Sequence, residues 1–162
     1  MKQLMILLIS LSCLTGCKED DTDGIFVSMN VFLSIKNNSD TDLLNPANEN
    51  SISLNDIFVY YLIDGDEMLF NEPLLDYPKG FVIELDQSAG IYVMDLFTSE
   101  HTNSDGIATT IVKIEGRDSI RLDCEVKKYS NGSMQVVSVL YQNELVWDND
   151  RDKSSRYLEI VL

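Results

Sequence analysis

Apolar and polar side chains alternate along the segment Ile25-Phe26-Val27-Ser28-Met29-Asn30-Val31-Phe32-Leu33-Ser34-Ile35-Lys36. Every odd-numbered position in this segment is apolar, and most even-numbered positions are polar. Successive side chains of a β-strand point to opposite faces, so the alternation places the odd-numbered side chains together on one face. We therefore predict one long strand over residues 25–36 with a single buried face.

Further short strands are predicted downstream, because similar apolar runs recur between turn-forming residues. Their ranges are 57–63, 68–70, 81–85, 91–97, 107–115, 119–127, 134–141, 144–147 and 157–162. Asn131-Gly132 is a strong hairpin signal between two of them. No segment shows a helical apolar stripe, so parallel strands joined by helical crossovers are not expected. The pattern predicts an all-β fold, an antiparallel β-sandwich of about 8–10 short strands, with a closed barrel as the alternative.

The N-terminus has the composition of a secretory signal peptide. Lys2 precedes an apolar run over residues 4–14, and this run is too short to span a bilayer as a helix. The tetrapeptide Leu14-Thr15-Gly16-Cys17 follows and resembles a bacterial lipobox. This resemblance implies cleavage before Cys17 and attachment of lipid to that residue. We therefore expect a lipoprotein signal peptide over residues 1–16 and a lipid anchor that holds the protein on a membrane.

An acidic segment follows the lipobox. Residues 17–24 form a predicted tether, because clustered like charges repel one another and keep a chain extended. Within it, Lys18-Glu19-Asp20-Asp21 resembles the export signal of Bacteroidetes lipoproteins. That resemblance implies display at the cell surface, on the outer face of the outer membrane, and the alternative is the periplasmic face. Residues 25–162 are predicted to form the β-sandwich domain.

Three segments of the domain are also similar to a known group of proteins. They are Asp42-Leu43-Leu44-Asn45-Pro46, the stretch over residues 116–125, and the stretch over residues 141–147. The domain resembles the bodies of small uncharacterised Bacteroidetes lipoproteins, which are expected to be immunoglobulin-like β-sandwiches. The resemblance implies an immunoglobulin-like arrangement of strands, and it implies no functional residue beyond Cys17.

The charge balance limits the kind of partner that the protein can bind, and the cysteines limit whether disulfides can stabilise it. The chain of 162 residues has 12 Lys and Arg against 27 Asp and Glu, so its formal net charge is −15. Phosphates repel such a surface, and we expect no nucleic-acid partner. Cys13 lies in the predicted signal peptide and Cys17 is the predicted lipid site. Cys124 then has no disulfide partner in the mature chain, and we predict that it is buried in the core.

The residues that could carry catalysis show no distinctive pattern. His101 is the only histidine, and its neighbours Ser99, Ser104 and Asp105 are as typical of a turn as of a hydrolytic triad. The carboxylates considered for acid–base chemistry are Glu67, Glu72, Asp76, Glu84, Asp86 and Asp95. No spacing singles out a pair among them. We predict a protein that is not an enzyme and needs no cofactor, with a small extracytoplasmic hydrolase as the alternative.

Calcium is the one metal ion for which the sequence offers a candidate site. Asp64 and Asp66 flank Gly65, and carboxylate oxygens beside a sharp turn are the ligands that Ca²⁺ prefers. The segment lacks the remaining ligands of a full calcium-binding loop. A structural calcium ion at Asp64 and Asp66 is therefore a hypothesis.

Aromatic residues suggest a binding function. In Phe58-Val59-Tyr60-Tyr61, alternation puts Phe58 and Tyr60 on one face of a strand, where they could stack on a glycan. Trp147 is predicted to be buried or half-buried. Together with the expected location, this favours a non-enzymatic binding or accessory module for a glycan or protein partner. A structural subunit of an envelope assembly, which would pair through exposed strand edges, is a further alternative.

Overall fold

A computed structural model describes residues 24–152 and 155–162. The predicted signal peptide, the lipid site at Cys17 and the export signal over residues 18–21 lie outside the described residues. Within the described ranges, no helix is long enough and apolar enough to cross a membrane.

Strands dominate the described part of the chain. In sequence order they are β1 (Val27–Ser28), β2 (Asn30–Lys36), β3 (Ile57–Ile63), β4 (Asp66–Leu69), β5 (Phe81–Asp86), β6 (Ile91–Phe97), β7 (Ile107–Ile114), β8 (Ile120–Lys128), β9 (Met134–Tyr141), β10 (Glu144–Asp148) and β11 (Tyr157–Val161). One turn of 3₁₀ helix, Leu54–Asp56, precedes β3. The predicted ranges 57–63, 91–97 and 134–141 are confirmed to the residue.

The strands form two sheets that enclose one core. The large sheet has seven strands in the order β1-β9-β8-β7-β3-β4, with β10 also paired to β9. The small sheet has four strands in the order β11-β2-β6-β5. Buried apolar side chains of both sheets meet between them: Val31, Leu33, Ile35, Met94, Leu96 and Ile160 from the small sheet, and Val59, Val112, Ile120, Leu122, Cys124 and Val139 from the large one. The predicted all-β sandwich is confirmed.

The predicted strand over residues 25–36 is wrong at its beginning. β1 belongs to the large sheet and β2 to the small sheet, so the chain passes from one sheet to the other at Met29. The side chains of Ile25 and Val27 are 72% and 49% exposed, whereas the odd-numbered ones from Met29 to Ile35 are buried. Alternation indicates which side chains share a face, but it carries no information about which sheet a strand joins.

The prediction of purely antiparallel sheets is also wrong at two places. β1 pairs in parallel with β9, and β11 pairs in parallel with β2, where Tyr157 lies opposite Phe32. Both sheets are therefore mixed. Each parallel pair joins strands that are far apart in the sequence, so most of the domain serves as the connection and no crossover helix is needed.

Two side-chain predictions about the core are confirmed. Cys124 is fully buried, and burial raises the pKa of its thiol to about 12. Trp147 is also buried, and the Arg156 guanidinium lies over its ring, 5.6 Å from the ring centroid. These residues belong to a part of the sandwich in which the two sheets are closed against solvent.

Candidate functional site

The β3–β4 hairpin creates a free edge on the large sheet. Asp64 and Gly65 both have positive φ, 53° and 94°, as in the two-residue turns that suit the twist of a hairpin. Ile63 and Asp66 form the pair that closes this turn. In the described part of the chain, no strand or loop pairs with the other side of β4.

Hydrogen bonding alternates along β4. Ile63 and Asp66 pair across the two-residue turn, and at the other end of β4 the Phe70 N–H donates to the Val59 carbonyl at 2.8 Å. These two contacts show that every second residue, beginning with Asp66, bonds to β3. The amides of Asp66 and Met68 therefore point toward β3. The N–H and C=O groups of Glu67 and Leu69 point to the free edge.

An apolar cleft adjoins this edge and opens between the two sheets. Its volume is about 540 Å³. Aromatic rings of Tyr61, Phe70 and Phe97 line its interior, and Met68 and Leu75 contribute aliphatic walls. Met68 lies opposite Tyr61 in the strand register, so its side chain is on the inner face of the sheet. It is nevertheless 53% exposed, so the described residues cover it only in part.

The interior of the cleft is held in a fixed geometry. The buried Tyr61 hydroxyl donates a hydrogen bond to the Phe97 carbonyl at 2.9 Å, which links the large sheet to the end of β6. The rings of Tyr61 and Phe70 pack in a tilted arrangement, with centroids 5.0 Å apart. Gly80, with φ +80°, supports Phe70 closely: a Cβ at this position would lie 3.1 Å from the Phe70 Cδ1.

One wall of the cleft is the loop between β4 and β5. Glu72 N–H donates to the Pro78 carbonyl at 2.8 Å, which closes the loop on itself. The Tyr77 hydroxyl donates to Asp95 Oδ2 at 3.2 Å, and the Asn30 amide donates to Asp95 Oδ1 at 2.6 Å. The charge of Asp95 is the main cause that raises the pKa of Tyr77. The loop is thus tied to β2 and β6 of the small sheet.

The rim of the cleft is acidic. Glu72, Asp76 and Glu100 are all exposed there, and no Lys or Arg is among the described residues that line the cleft. Burial raises the pKa of Tyr61, and the charge of Glu100 adds to that effect. The site therefore combines an apolar interior with a negative border.

The structure does not assemble His101 and its neighbours into a triad. His101 is exposed at the rim, and its backbone N–H donates to the buried Ser99 hydroxyl at 3.1 Å. Ser104 and Asp105 lie in a turn that the Asn103 side chain caps by accepting from the Asp105 N–H at 3.0 Å. Both hydrogen bonds stabilise the backbone of the loop, and neither joins the His101 ring to a serine or an aspartate.

The candidate carboxylates are divided among different structural roles. Glu67 pairs with Lys113 on the outer face of the large sheet. Asp86 caps the β5–β6 turn, where it accepts from the Ser88 hydroxyl at 2.6 Å and from the Ser88 N–H at 2.8 Å. Glu84 lies exposed on β5, while Glu72 and Asp76 share the cleft rim.

Among the described residues, no third carboxylate is placed with Asp64 and Asp66 to hold a calcium ion. Asp64 lies in the β3–β4 turn and Asp66 begins β4. Across residues 24–152 and 155–162, no group of three or more His, Cys, Asp or Glu side chains is placed to hold a metal ion. A calcium ion at Asp64 and Asp66 stays a prediction.

The predicted aromatic face is interrupted. Phe58 and Tyr60 do share the outer face of β3, and Phe58 is exposed. However, Lys113 Nζ lies over the Tyr60 ring, 4.6 Å from its centroid, and covers that face. Only Phe58 then presents a free ring on this part of the strand.

The cleft itself could not be predicted from the sequence. Tyr61, Phe70, Phe97 and Tyr77 come from four separate segments, and their convergence depends on long-range packing. One local signal was present: Leu74-Leu75 stands in a polar loop between two prolines, and both leucines prove to be exposed.

Comparison with known proteins gives this chain no relative. No protein-family model, no curated protein sequence and no solved structure matches it.

Proposed function

We propose that this chain is a lipid-anchored envelope lipoprotein whose β-sandwich is a non-enzymatic binding module, and that it holds a protein partner at the cleft. The observation that carries the binding role is the cleft of about 540 Å³ beside an uncovered strand edge. Its volume lies within the range of about 300–1,000 Å³ that is typical of ligand sites.

The apolar surface around the cleft supports a binding role. Met68, Leu69, Leu74 and Leu75 are each at least half exposed, and all four come from β4 or the loop that follows it. Single exposed apolar residues are ordinary, whereas clustered ones mark interaction sites. Methionine adds adaptability to such a surface, because its side chain is unbranched and polarisable.

The shape and chemistry of the site favour a protein over a glycan. Sugars bind well to flat, open aromatic faces, but Tyr61 is buried and Tyr60 is covered by Lys113. The apolar lining residues that are more than half exposed are aliphatic, namely Met68, Leu69 and Leu75. An apolar side chain of a partner protein would fill such a cleft and would be removed from contact with water. Burial of such an anchor residue is the usual source of affinity at a protein interface.

The location is proposed on the sequence motifs alone. Cys17 in the lipobox would carry the lipid, and Lys18 with the acids that follow would direct the protein to the cell surface. A Cys17→Ala variant should leave the membrane fraction, and a protease added to intact cells should release the wild-type domain. A Cys17→Ala variant that stays with membranes would contradict the anchor, and protection from the protease until the cells are lysed would place the domain on the periplasmic face.

Site-specific crosslinking in living cells tests the binding role. A photoreactive phenylalanine at position 75 would lie in the wall of the cleft, and one at position 145 would lie on β10, where Leu145 is exposed outside the cleft. We expect one discrete protein adduct from position 75 and none from position 145. No adduct from position 75, or the same adduct from both positions, would contradict a binding site at the cleft.

A further inference from the structure

We propose that the partner offers an extended, basic segment of polypeptide, which adds a strand to the free edge of β4 and inserts an apolar side chain into the cleft. This inference rests on the proposed function and specifies the chemistry of the occupant. It joins three separate features of the structure, namely the free edge, the cleft beside it and the charge around it.

The free edge supplies the main-chain contacts. Glu67 and Leu69 direct their N–H and C=O groups away from β3, and within the described ranges no other segment pairs with them. An added strand can accept from these two N–H groups and donate to these two C=O groups. Such contacts require an extended main chain and do not depend on the side chains of the partner.

The cleft supplies the side-chain contact. Met68 faces inward beside Tyr61, so β4 already presents one side chain to the cleft. Alternate side chains of an added strand would point in the same direction. One apolar side chain of the partner would then lie near Met68 and Phe70, while its neighbours in sequence would point to the opposite face.

The charge of the site selects a basic segment. Asp66 lies on β4, and Glu72, Asp76 and Glu100 border the cleft. Lys113, a basic group near this edge, already pairs with Glu67. A Lys or Arg in the partner would find acceptors at short range, and the net charge of −15 would attract a cationic segment from a distance.

The same charges oppose a second copy of this chain as the occupant. Two β4 edges that paired with each other would put Asp66 of both copies on neighbouring strands and would bring the acidic rims of two clefts together. Like charges on neighbouring strands are destabilising, and charged edge strands are a common protection against self-association. A basic foreign segment therefore fits the edge better than a self-complementary dimer does.

The structure offers a closely matched pair of variants for the test. Leu69→Pro removes one outward-pointing N–H from β4 without removing a hydrogen bond to β3. Leu85→Pro does the same on β5, because Phe97 N–H donates to the Gly80 carbonyl and this register points the Leu85 N–H outward. The two leucines are similarly exposed, at 51% and 47%, but only Leu69 lies beside the cleft.

The probe is a fluorescein-labelled ten-residue peptide of alternating lysine and leucine, with fluorescence polarisation measured on the full chain extracted in detergent. We expect it to bind wild type and Leu85→Pro equally, and to bind Leu69→Pro about tenfold more weakly, a loss in the range of one or two hydrogen bonds. Peptides with glutamate in place of lysine, or with N-methyl groups on the main chain, should bind poorly. Circular dichroism checks that each variant is folded.

A second pair of variants keeps the proposal testable if Leu69→Pro fails to fold. Glu100→Lys reverses a charge at the cleft rim, whereas Glu144→Lys makes the same change on exposed β10. We expect the first to weaken peptide binding and the second to leave it nearly unchanged. Equal effects of the two, or undiminished binding of the N-methylated peptide, would overturn strand addition.

The outcomes separate this inference from the proposed function. A protein adduct from position 75 that Leu69→Pro leaves intact would overturn strand addition and leave the binding module standing. Failure of both the adduct and the peptide would overturn both. A dimer in sedimentation experiments that Leu69→Pro dissociates would identify a second copy as the occupant and overturn the basic segment.

Discussion

Two edge strands of this sandwich, β11 and β4, show opposite relations to solvent. β11 closes one edge of the small sheet, and its inward side chains Leu158 and Ile160 are almost completely buried. β4 closes one edge of the large sheet, and its inward side chain Met68 is 53% exposed. All four residues of β4 are exposed, whereas exposed and buried residues alternate along β11.

The difference lies in what covers each edge. β11 contacts β10, which carries the buried Trp147, so both sheets contribute to the core at that edge. The large sheet has seven strands against four in the small sheet, and the described residues cover the inward side chain of β4 only in part. In this sandwich, an edge strand is buried where the opposite layer extends over it. Where that layer ends, the same architecture leaves a cleft.

The largest expected loss of stability distinguishes the β11 edge from the β4 edge. Leu158→Ala removes a side chain that is 5% exposed, so we expect it to lower the free energy of unfolding by about 2–5 kcal/mol. Met68→Ala removes a half-exposed side chain and should cost within about 0.5 kcal/mol. Urea unfolding of both variants measures this. Equal losses would mean that the β4 edge is covered as well as the β11 edge.

The second prediction concerns the support of the cleft. Gly80→Ala places a Cβ 3.1 Å from Phe70 Cδ1, and its positive φ adds backbone strain, so we expect a loss of about 1–3 kcal/mol. Gly65→Ala shares the positive φ but has open space around it, and it should cost less. Urea midpoints compare the two. A smaller loss for Gly80→Ala would show that Phe70 does not rest on Gly80.

The third prediction concerns the hydrogen bond that crosses the cleft. Tyr61→Phe removes the bond to the Phe97 carbonyl, and we expect a loss of about 1 kcal/mol at neutral pH. Because burial raises the pKa of Tyr61, the unfolded state ionises first as the pH rises above the ordinary tyrosine value, and stability is lost there. The variant should therefore lose less stability than wild type between neutral and strongly alkaline pH. Identical pH profiles would show that Tyr61 is open to water.

The smallest change in stability at neutral pH is expected for Cys124→Val, which replaces the buried thiol of the core. The pKa of Cys124 is raised to about 12 by burial, so its folded thiol stays protonated while the unfolded thiol ionises above its ordinary pKa of about 8.5. Stability linked to this residue should be intact below about pH 8.5 and should fall toward pH 12. Cys124→Val should flatten this fall, as measured by urea unfolding at several pH values. An equally steep fall in Cys124→Val would contradict a buried thiol.

The sequence was sufficient for local features of the fold. β3, β6 and β9 have the predicted limits because each is a regular apolar run bounded by turn-forming residues. Cys124 and Trp147 were expected inside the domain, and they are buried. The two residues between the predicted ranges 134–141 and 144–147, Gln142 and Asn143, have the positive φ values of a tight hairpin turn. In each case a short stretch of chain contains the information.

Features that depend on distant segments could not be predicted. β1 and β2 read as one strand, because alternation continues unbroken across Met29 even though the chain changes sheets there. The parallel pairing of β11 with β2 joins the two ends of the domain. The cleft arises because the two sheets differ in width, and the sequence of β4 alone does not show that Met68 would be left uncovered.

Residue-resolved amide hydrogen exchange tests most directly whether the β4 edge is open and can receive a strand. In the free protein, we expect slow exchange at Asp66 and Met68, which donate to β3, and fast exchange at Glu67 and Leu69, which face the edge. Addition of the lysine–leucine peptide should slow Glu67 and Leu69 while the amides of β11 stay unchanged. Protection of Glu67 and Leu69 in the free protein would show that the edge is already covered, and fast exchange at both with the peptide bound would show that no strand is added.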